Sequence, residues 1–248
     1  GFADGEVDEA VACAIRDGVS SRLNCPKEIE LAEVPIDLHP CIDWVRCARS
    51  GGEAIAIGVR LAGAATRLDV VLFSGYHGWS DWYLAANLAA NDALDGHLLP
   101  GLQPNGVPRG LLGTALPFSA NDTAAFDEVL RGREGSIAAI VIEPARGEEA
   151  PPGFLAHLRE RASEIGAVLI FDEITSGFRM CAGSMHRRFD VRPDVAVLAK
   201  SMANGYAMSA VLGTARVMDS AQGTFVSSTN WTERIGPTAA LATIAKYV

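Results

Sequence analysis

The sequence predicts an α/β fold in which a mainly parallel β-sheet is sandwiched between layers of helices. Short apolar runs recur along the chain, and most are apolar throughout rather than alternating with polar residues. That pattern is typical of strands covered on both faces. Stretches with helical periodicity lie between these runs. Strand and helix therefore alternate, as they do in a doubly wound domain.

Six apolar runs are predicted to be strands, and the segments between them supply helices. The predicted strands are residues 43–48, 69–73, 138–143, 167–173, 194–199 and 208–213. The predicted helices are residues 7–19, 26–38, 52–65, 80–94, 151–166 and an alanine-rich stretch from residue 238. Pro35 is expected to interrupt the second helix, and the glycine- and proline-rich residues 96–120 are expected to form a loop. The chain is interpreted as one domain, residues 1–248.

Composition and charge exclude several classes of function. The chain has 248 residues, 49% of them hydrophobic, with 21 basic and 30 acidic side chains and a net charge of −9. This acidic balance argues against binding to nucleic acid, which needs a basic surface. No apolar run approaches the roughly 20 residues that would cross a membrane. The five cysteines form no C-x-x-C pair, which indicates a reduced, cytoplasmic protein.

The sequence motifs of other enzyme classes are missing from the chain. No G-x-G-x-x-G follows a predicted strand, as a nicotinamide dehydrogenase would require. The five histidines form no H-E-x-x-H motif, so no metal site is predicted. The G-x-S-x-G of serine hydrolases and the G-x-x-x-x-G-K-[ST] of NTPases are absent as well.

Polar residues at the ends of the predicted strands are the candidate site residues, because ligands of such sheets bind beyond the carboxyl ends of the strands. Lys200 ends one apolar run. It is either a partly desolvated, nucleophilic amine or an ordinary lysine that leaves the sheet for solvent. Asp172 ends another run. It pairs with a cationic ring nitrogen, caps the next segment or pairs with Arg179.

Two further turns carry residues suited to a flat, anionic ligand. Gly51 and Gly52 precede a helical stretch, where backbone N–H groups either bind an anion or simply form a tight turn. Tyr76 either stacks on a flat ligand or belongs to the core. An anion-binding turn, an aromatic side chain, a carboxylate for a ring nitrogen and a lysine are together the parts of a pyridoxal phosphate site.

Seven segments carry a family resemblance. They are FADGEVDEAV from residue 2, SGGEA from 50, GYHGW from 75, VIEP from 141, LIFDEITSGFR from 169, PDVAVLAKSMANGYAMSAVLG from 193 and STNWTERIGPTAALATI from 228. With them the chain resembles the class III aminotransferases, fold type I pyridoxal-phosphate enzymes that include the glutamate-1-semialdehyde aminomutases. Pyridoxal 5′-phosphate is the cofactor that this resemblance implies.

The resemblance implies catalytic roles for two residues. Lys200 would form the internal aldimine with the cofactor and then move the proton during the reaction. Asp172 would bond the pyridinium nitrogen and keep the ring protonated, so that the ring can store the electron pair released at the substrate carbon.

The resemblance also implies a set of cofactor-binding residues. Tyr76 and Ile174 would lie against opposite faces of the ring, and backbone groups of Gly51 and Gly52 would bind the phosphate. Thr232 would reach the phosphate in the neighbouring subunit, so a homodimer with a shared active site is implied. The remaining two residues expected to line the site are His77 and Glu143.

The implied reaction is transamination of a small amine or amino acid to a carbonyl acceptor through pyridoxamine phosphate. One alternative is an aminomutase, which returns the amino group to another carbon of the same molecule. Another is a truncated domain that only binds cofactor or dimerises. Relatives continue before Gly1 and beyond Val248, so the chain is expected to be the large cofactor-binding domain, without the small C-terminal domain.

Overall fold

The computed structural model describes residues 3–20, 23–97, 99–146 and 148–247, and the other positions of the predicted 1–248 domain lie outside the described residues. The strands are β1 Trp44–Ala48, β2 Val70–Ser74, β3 Ala115–Pro117, β4 Ile137–Ile142, β5 Ala145–Arg146, β6 Glu148–Glu149, β7 Val168–Asp172, β8 Val195–Leu198 and β9 Ser209–Gly213. The α-helices are α1 Gly5–Arg16, α2 Pro26–Leu38, α3 Gly51–Thr66, α4 Asp81–Leu84, α5 Thr123–Leu130, α6 Phe154–Ile165, α7 His186–Phe189, α8 Ala215–Met218 and α9 Ile235–Ile244.

The main sheet has seven strands in the order β1-β9-β8-β7-β4-β2-β3. The pairs β7·β8, β4·β7, β2·β4 and β2·β3 are parallel. The strand β9 pairs antiparallel with both β8 and β1, so within the described sheet it runs against the other six strands. The predicted mainly parallel sheet is confirmed, and all six predicted strands are present.

Helices cover both faces of this sheet, as the apolar runs predicted. On one face, Ile55 and Leu61 of α3 share a buried cluster with Val141 and Val197 of the sheet. On the other face, Leu158 of α6 belongs to a buried cluster that includes residues of β4 and β7. Helices α1, α2 and α9 contribute to a third buried cluster, together with residues of β8 and β9. Every residue of β4 and β7 is buried, which explains their continuous apolar sequence.

Three predicted elements differ in the structure because specific hydrogen bonds and strand pairing override the propensity of the local sequence. Helix α2 runs through Pro35, which is buried and whose carbonyl oxygen accepts a hydrogen bond from His39 Nδ1 at 2.6 Å. The predicted helix 80–94 is reduced to α4 and one 3-10 turn. There the Asn87 side chain bonds the backbone of Leu94 and Leu102, which bends the chain into turns. The predicted loop 96–120 contains the edge strand β3.

One edge of the sheet collects the segments that matter for a site. The carboxyl ends of β2, β4, β7 and β8 meet there because these strands are parallel. Strand β1 points the same way, since it and β8 both pair antiparallel with β9. The connection from β1 to α3 therefore opens onto the same edge. Across the described residues, no helix is both long and apolar enough to span a membrane.

Candidate active site

A cavity of about 360 Å³ lies at this edge of the sheet. Eight of the nine predicted site residues line it, and they come from segments widely separated in the chain: Gly51, Gly52, Tyr76, His77, Glu143, Asp172, Ile174 and Lys200. The volume falls within the range of roughly 300–1,000 Å³ typical of small-molecule sites. The structure therefore places these eight predicted residues together at one edge of the sheet.

One wall of the cavity is the start of helix α3, which we call the glycine turn (residues 50–52). Ser50 caps the helix, and its hydroxyl accepts a hydrogen bond from the Glu53 N–H at 3.3 Å. The first N–H groups of a helix have no carbonyl partner inside the helix, and the helix dipole is positive at this end. A Cβ atom added to Gly51 would lie 2.9 Å from the Ile174 side chain, so the close packing of these two residues requires glycine. The turn therefore offers N–H donors to an anion.

Asp172 ends strand β7 as a buried carboxylate that histidine holds in place. Its Oδ2 lies 2.8 Å from Nδ1 of His77, and its Oδ1 accepts a hydrogen bond from the Ile174 N–H at 3.1 Å. The other ring nitrogen of His77 donates to the Ser74 carbonyl oxygen at 3.1 Å, because a carbonyl oxygen only accepts. Both side chains are almost completely buried, with 0% and 2% of the His77 and Asp172 side chains exposed. The orientation of Asp172 is therefore fixed.

Lys200 enters the cavity directly after strand β8 from an unusual backbone conformation. Its φ angle is 48°, in the left-handed region that residues other than glycine rarely adopt. Such conformations cost about 1–3 kcal/mol and concentrate at functional sites. Its Nζ donates a hydrogen bond to the Thr175 hydroxyl at 2.9 Å. The strained backbone thus holds an amine at the wall that carries Asp172 and Ile174.

Tyr76 and Glu143 form the opposite side of the cavity. Glu143 Oε2 accepts hydrogen bonds from the Tyr76 N–H at 3.1 Å and from the Arg146 guanidinium at 2.7 Å. The Arg146 guanidinium carbon also lies 5.7 Å from the centre of the Tyr76 ring, within reach of a cation–π contact. A Cβ atom on Gly75 would lie 2.7 Å from Glu143, so this close approach requires glycine. The tyrosine ring is therefore supported from both its backbone and its face.

Two sequence predictions have a different outcome from the rest. Thr232 lines another cavity, of about 320 Å³, and does not line the cavity of Lys200. The alternative in which Asp172 pairs with Arg179 is wrong, because His77 occupies that position and exposed Arg179 donates to the Ser201 hydroxyl at 3.2 Å. The sequence predicted that His77 lines the site, but it did not predict that His77 is the partner of Asp172.

Thr175 was missed as a neighbour of Lys200. Its spacing of three residues after Asp172 on the segment that leaves β7 was the signal that could have found it.

Comparison with known proteins identifies the family. The sequence profile of the class-III aminotransferases matches residues 1–246. The chain belongs to the class-III aminotransferase family. The predicted family is therefore confirmed.

Curated relatives of this aminotransferase chain carry two kinds of name. It is 36% identical over 226 residues to a glutamate-1-semialdehyde 2,1-aminomutase of Francisella philomiragia, covering 88% of this chain and 51% of the relative. It is 31% identical over 252 residues to a 3-aminobutyryl-CoA aminotransferase of Cloacimonas acidaminovorans, covering 98% of this chain and 57% of the relative. The chain thus spans about half the length of the curated relatives it matches.

Solved structures agree with this assignment. An omega-transaminase from Sphaerobacter thermophilus superimposes with a TM-score of 0.87 at 28% identity, covering 99% of this chain and 59% of that one. A transaminase with PLP bound matches with the same TM-score and identity. Pyridoxal 5′-phosphate is confirmed as the family's cofactor. The predicted fold class is confirmed as well, and the chain covers only part of the length of these structures.

Proposed function

We propose that this chain binds pyridoxal 5′-phosphate and uses it to transfer an amino group from a small amine or amino acid to a carbonyl acceptor. The observation that carries the proposal is the single cavity lined by Lys200, Asp172 and the glycine turn. An amine, a buried carboxylate and a helix N-terminus match the cofactor's carbonyl, ring nitrogen and phosphate.

When bound, pyridoxal 5′-phosphate supplies a carbonyl group that condenses with amines and a ring that stabilises negative charge on the substrate carbon. Asp172 holds the proton on the ring nitrogen, because a buried carboxylate favours a cation beside it. His77 keeps the carboxylate in that orientation through its 2.8 Å contact.

Lys200 has two tasks in this proposal. Its Nζ would hold the cofactor at the carbonyl group, and as a free amine it would move a proton at the substrate carbon. Thr175, 2.9 Å away, orients the amine through its hydroxyl. The left-handed backbone at Lys200 fixes the direction from which the amine approaches.

The other cavity residues bind and orient the ring in this proposal. Gly51 and Gly52 donate backbone N–H groups to the phosphate. Tyr76 covers one face of the ring and Ile174 the other, which excludes water from both. Glu143 holds the backbone of Tyr76.

We also propose that the active protein is a homodimer, which accounts for Thr232. Thr232 lies in another cavity of its own chain, so a contribution to a cofactor phosphate would have to be made to a partner's site. Small-molecule amino donors and carbonyl acceptors are the proposed substrates.

A second candidate is an intramolecular aminomutase, because several of the relatives carry that name at 35–37% identity. An amino donor with labelled nitrogen distinguishes the two reactions. A transferase moves the label to a separate carbonyl acceptor, whereas a mutase keeps it on the donor molecule. If the donor leaves the cofactor's visible absorbance unchanged, the chain is a cofactor-binding or dimerisation domain without transfer.

The test of cofactor binding uses the three lysines of the chain, Lys27, Lys200 and Lys246. The full chain is mixed with pyridoxal 5′-phosphate, reduced with borohydride and digested, and the peptides are weighed by mass spectrometry. We expect the cofactor's mass on the peptide of Lys200. The matched controls Lys27→Ala and Lys246→Ala should behave as wild type, and Lys200→Ala should lose both the visible absorbance and the labelled peptide. Labelling distributed among all three lysines would contradict the proposal.

A further inference from the structure

Arg49, just before the glycine turn, has both terminal nitrogens of its side chain engaged in hydrogen bonds. Its Nη1 donates to the Ala48 carbonyl oxygen at 3.1 Å and to the Met208 sulfur at 3.4 Å. Its Nη2 donates to the carbonyl oxygens of Trp231 and Glu233, both at 3.0 Å. Its Nε forms an ion pair with Glu233 Oε1 at 2.7 Å. The four N–H donors of the two Nη atoms are therefore used within the protein. Nε makes no hydrogen bond, but it is buried and faces the Glu233 carboxylate.

These contacts join the glycine turn to a second turn, residues 231–233, which we call the tryptophan turn. Glu53 completes the link from the other direction. Its Oε2 accepts a hydrogen bond from the Arg49 N–H at 2.8 Å, and its Oε1 accepts one from Trp231 Nε1 at 3.1 Å. Glu53 belongs to the first turn of α3, whose N-terminus forms the glycine turn. Two segments about 180 residues apart are thus fastened to each other beside the cavity.

The link extends to the start of helix α9. The Glu233 carboxylate accepts hydrogen bonds from the N–H groups of Ile235 and Gly236, at 2.5 and 3.0 Å. A Cβ atom on Gly236 would lie 2.8 Å from the Ala207 carbonyl oxygen, so this packing is close. The Arg49 and Glu233 side chains are only 13% and 15% exposed. The ion pair is therefore largely shielded from solvent. The attraction between its two charges is stronger there than at an exposed surface.

We propose that Arg49 is a positioning residue that holds the glycine turn and the tryptophan turn in the geometry needed for phosphate binding. The inference rests on the proposed function, in which the glycine turn binds the phosphate of one cofactor and Thr232 that of the partner's. Arg49 acts through Glu53, Trp231 and Glu233. It lines the cavity, but its Nη donors are used within the protein and its Nε faces the Glu233 carboxylate, so it acts by positioning the two turns and not by touching the phosphate.

The fork shape of arginine is essential to this role, which separates it from a simple attraction of charge. Lysine keeps the positive charge, but it is a point charge with three donors and cannot reach two carbonyl oxygens and a carboxylate at once. If Arg49 worked by attracting phosphate, Arg49→Lys would retain most of the affinity. If it works by positioning, Arg49→Lys and Arg49→Gln must fail together.

The experiment compares two ligands that differ only in the phosphate. Affinities of the full chain for pyridoxal 5′-phosphate and for pyridoxal are measured by visible absorbance, in wild type, Arg49→Lys, Arg49→Gln and the control Arg216→Gln. Arg216 forms an exposed ion pair with Asp194. We expect both Arg49 variants to lose about tenfold or more of the preference for the phosphorylated ligand, the equivalent of one charge-assisted hydrogen bond. The control should keep the preference.

The outcomes separate the two proposals. A wild type without preference for the phosphorylated ligand overturns the proposed function and the inference together. A wild type with the preference, and Arg49 variants that keep it, overturns the inference alone. So does Arg49→Lys behaving as wild type while Arg49→Gln fails, because charge would then be sufficient. Equal weakening of both ligands, together with a lower free energy of unfolding, would assign Arg49 a merely structural role and also overturn it.

Discussion

Two adjacent residues of one strand end form two carboxylate–histidine pairs with different uses. Asp172 lies 2.8 Å from His77, and Glu173 lies 2.8 Å from His186. All four side chains are almost completely buried. Successive residues of a strand point to opposite sides, so one pair borders the cavity while the other lies behind it.

The difference between the pairs is what else each carboxylate binds. Glu173 also accepts hydrogen bonds from the N–H groups of Met185 and His186, so its oxygens are taken up by one short segment at the start of α7. Asp172 has the Ile174 N–H as its further partner and lines the cavity of Lys200. A buried carboxylate–histidine pair is therefore no functional signal by itself. What distinguishes Asp172 from Glu173 is that Asp172 lines a cavity that also contains the Lys200 amine.

Replacing Asp172 with asparagine should have the largest effect of the changes that separate the two pairs. A carboxylate about 4 Å from a ring cation contributes about 4 kcal/mol at an effective dielectric of about 20. We therefore expect Asp172→Asn to slow the discharge of the bound cofactor's absorbance by an amino donor roughly a thousandfold. The free energy of unfolding, measured with urea, should fall as well, because the change breaks the buried pair with His77, so the rate is compared in the folded fraction.

Asp190→Asn is the matched control for this change. Asp190 is exposed, and its left-handed backbone is one that asparagine tolerates. The control should keep the wild-type rate. A full rate in Asp172→Asn would remove Asp172 from the mechanism.

Replacing Glu173 should have the converse effect, on stability rather than on rate. Breaking a buried ion pair costs about 3–5 kcal/mol, because the remaining charge is left without its partner. We expect Glu173→Gln to lower the free energy of unfolding by about 3 kcal/mol, with cofactor affinity retained in the folded fraction. The exposed Glu160→Gln in α6 serves as control in the same urea titration. Intact stability together with lost cofactor binding would reverse the roles of the two pairs.

The comparison also shows how far sequence could carry the prediction. Apolar runs that end in polar residues located Asp172 and Lys200, because burial on both faces leaves a strong local pattern. The partner His77 could not be assigned in that way, since its contact spans 95 residues of chain and depends on the order of strands in the sheet.

Elements shaped by particular contacts rather than by their own hydrophobic pattern were mispredicted as well. Residues 80–94 have the periodicity of a helix, but hydrogen bonds from Asn87 bend them into turns. Strand β3 has three residues and ends in a proline, which is too little local signal for a strand. Strand β9 is as apolar as its parallel neighbours, so its reversed direction leaves no trace in the sequence.

Two histidines behind the cavity should make the free energy of unfolding fall at both ends of the pH range, one at acid pH and the other at alkaline pH. The rings of His39 and His186 lie 5.3 Å apart. Burial lowers the pKa of His39 to about 4, outweighing its hydrogen bond to the Pro35 carbonyl. Burial alone would also lower the pKa of His186, but hydrogen bonds and charge from Cys41 and Glu173 outweigh it and raise that pKa to about 9. One ring is therefore neutral and the other charged at neutral pH.

The signs of the two effects follow from linkage. His186 has a raised pKa, so its contribution to stability is fully present below the ordinary value of 6.5 and is lost as pH rises through about 9. His39 has a lowered pKa, so its contribution is present above 6.5 and is lost as pH falls through about 4. Urea titrations across this pH range should show the free energy of unfolding falling on the acid side (the acid limb) and on the alkaline side (the alkaline limb). Glu173→Gln should flatten the alkaline limb and His39→Gln the acid one. An alkaline limb unchanged in Glu173→Gln would contradict the assignment to His186.

The smallest expected effect concerns Cys41, whose sulfur lies 3.8 Å from Nε2 of His186. This contact supports the charged ring from the side opposite Glu173, and a hydrogen bond of this kind contributes about 1 kcal/mol. Cys41→Ala should therefore move the midpoint of the alkaline limb to lower pH but keep the limb, whereas Glu173→Gln flattens it. Cys181→Ala removes a thiol whose hydrogen bonds go to Gly183 and Met185 and should leave the midpoint unchanged. A midpoint at higher pH in Cys41→Ala would mean that burial of the ring, and not its contact with sulfur, dominates at this position.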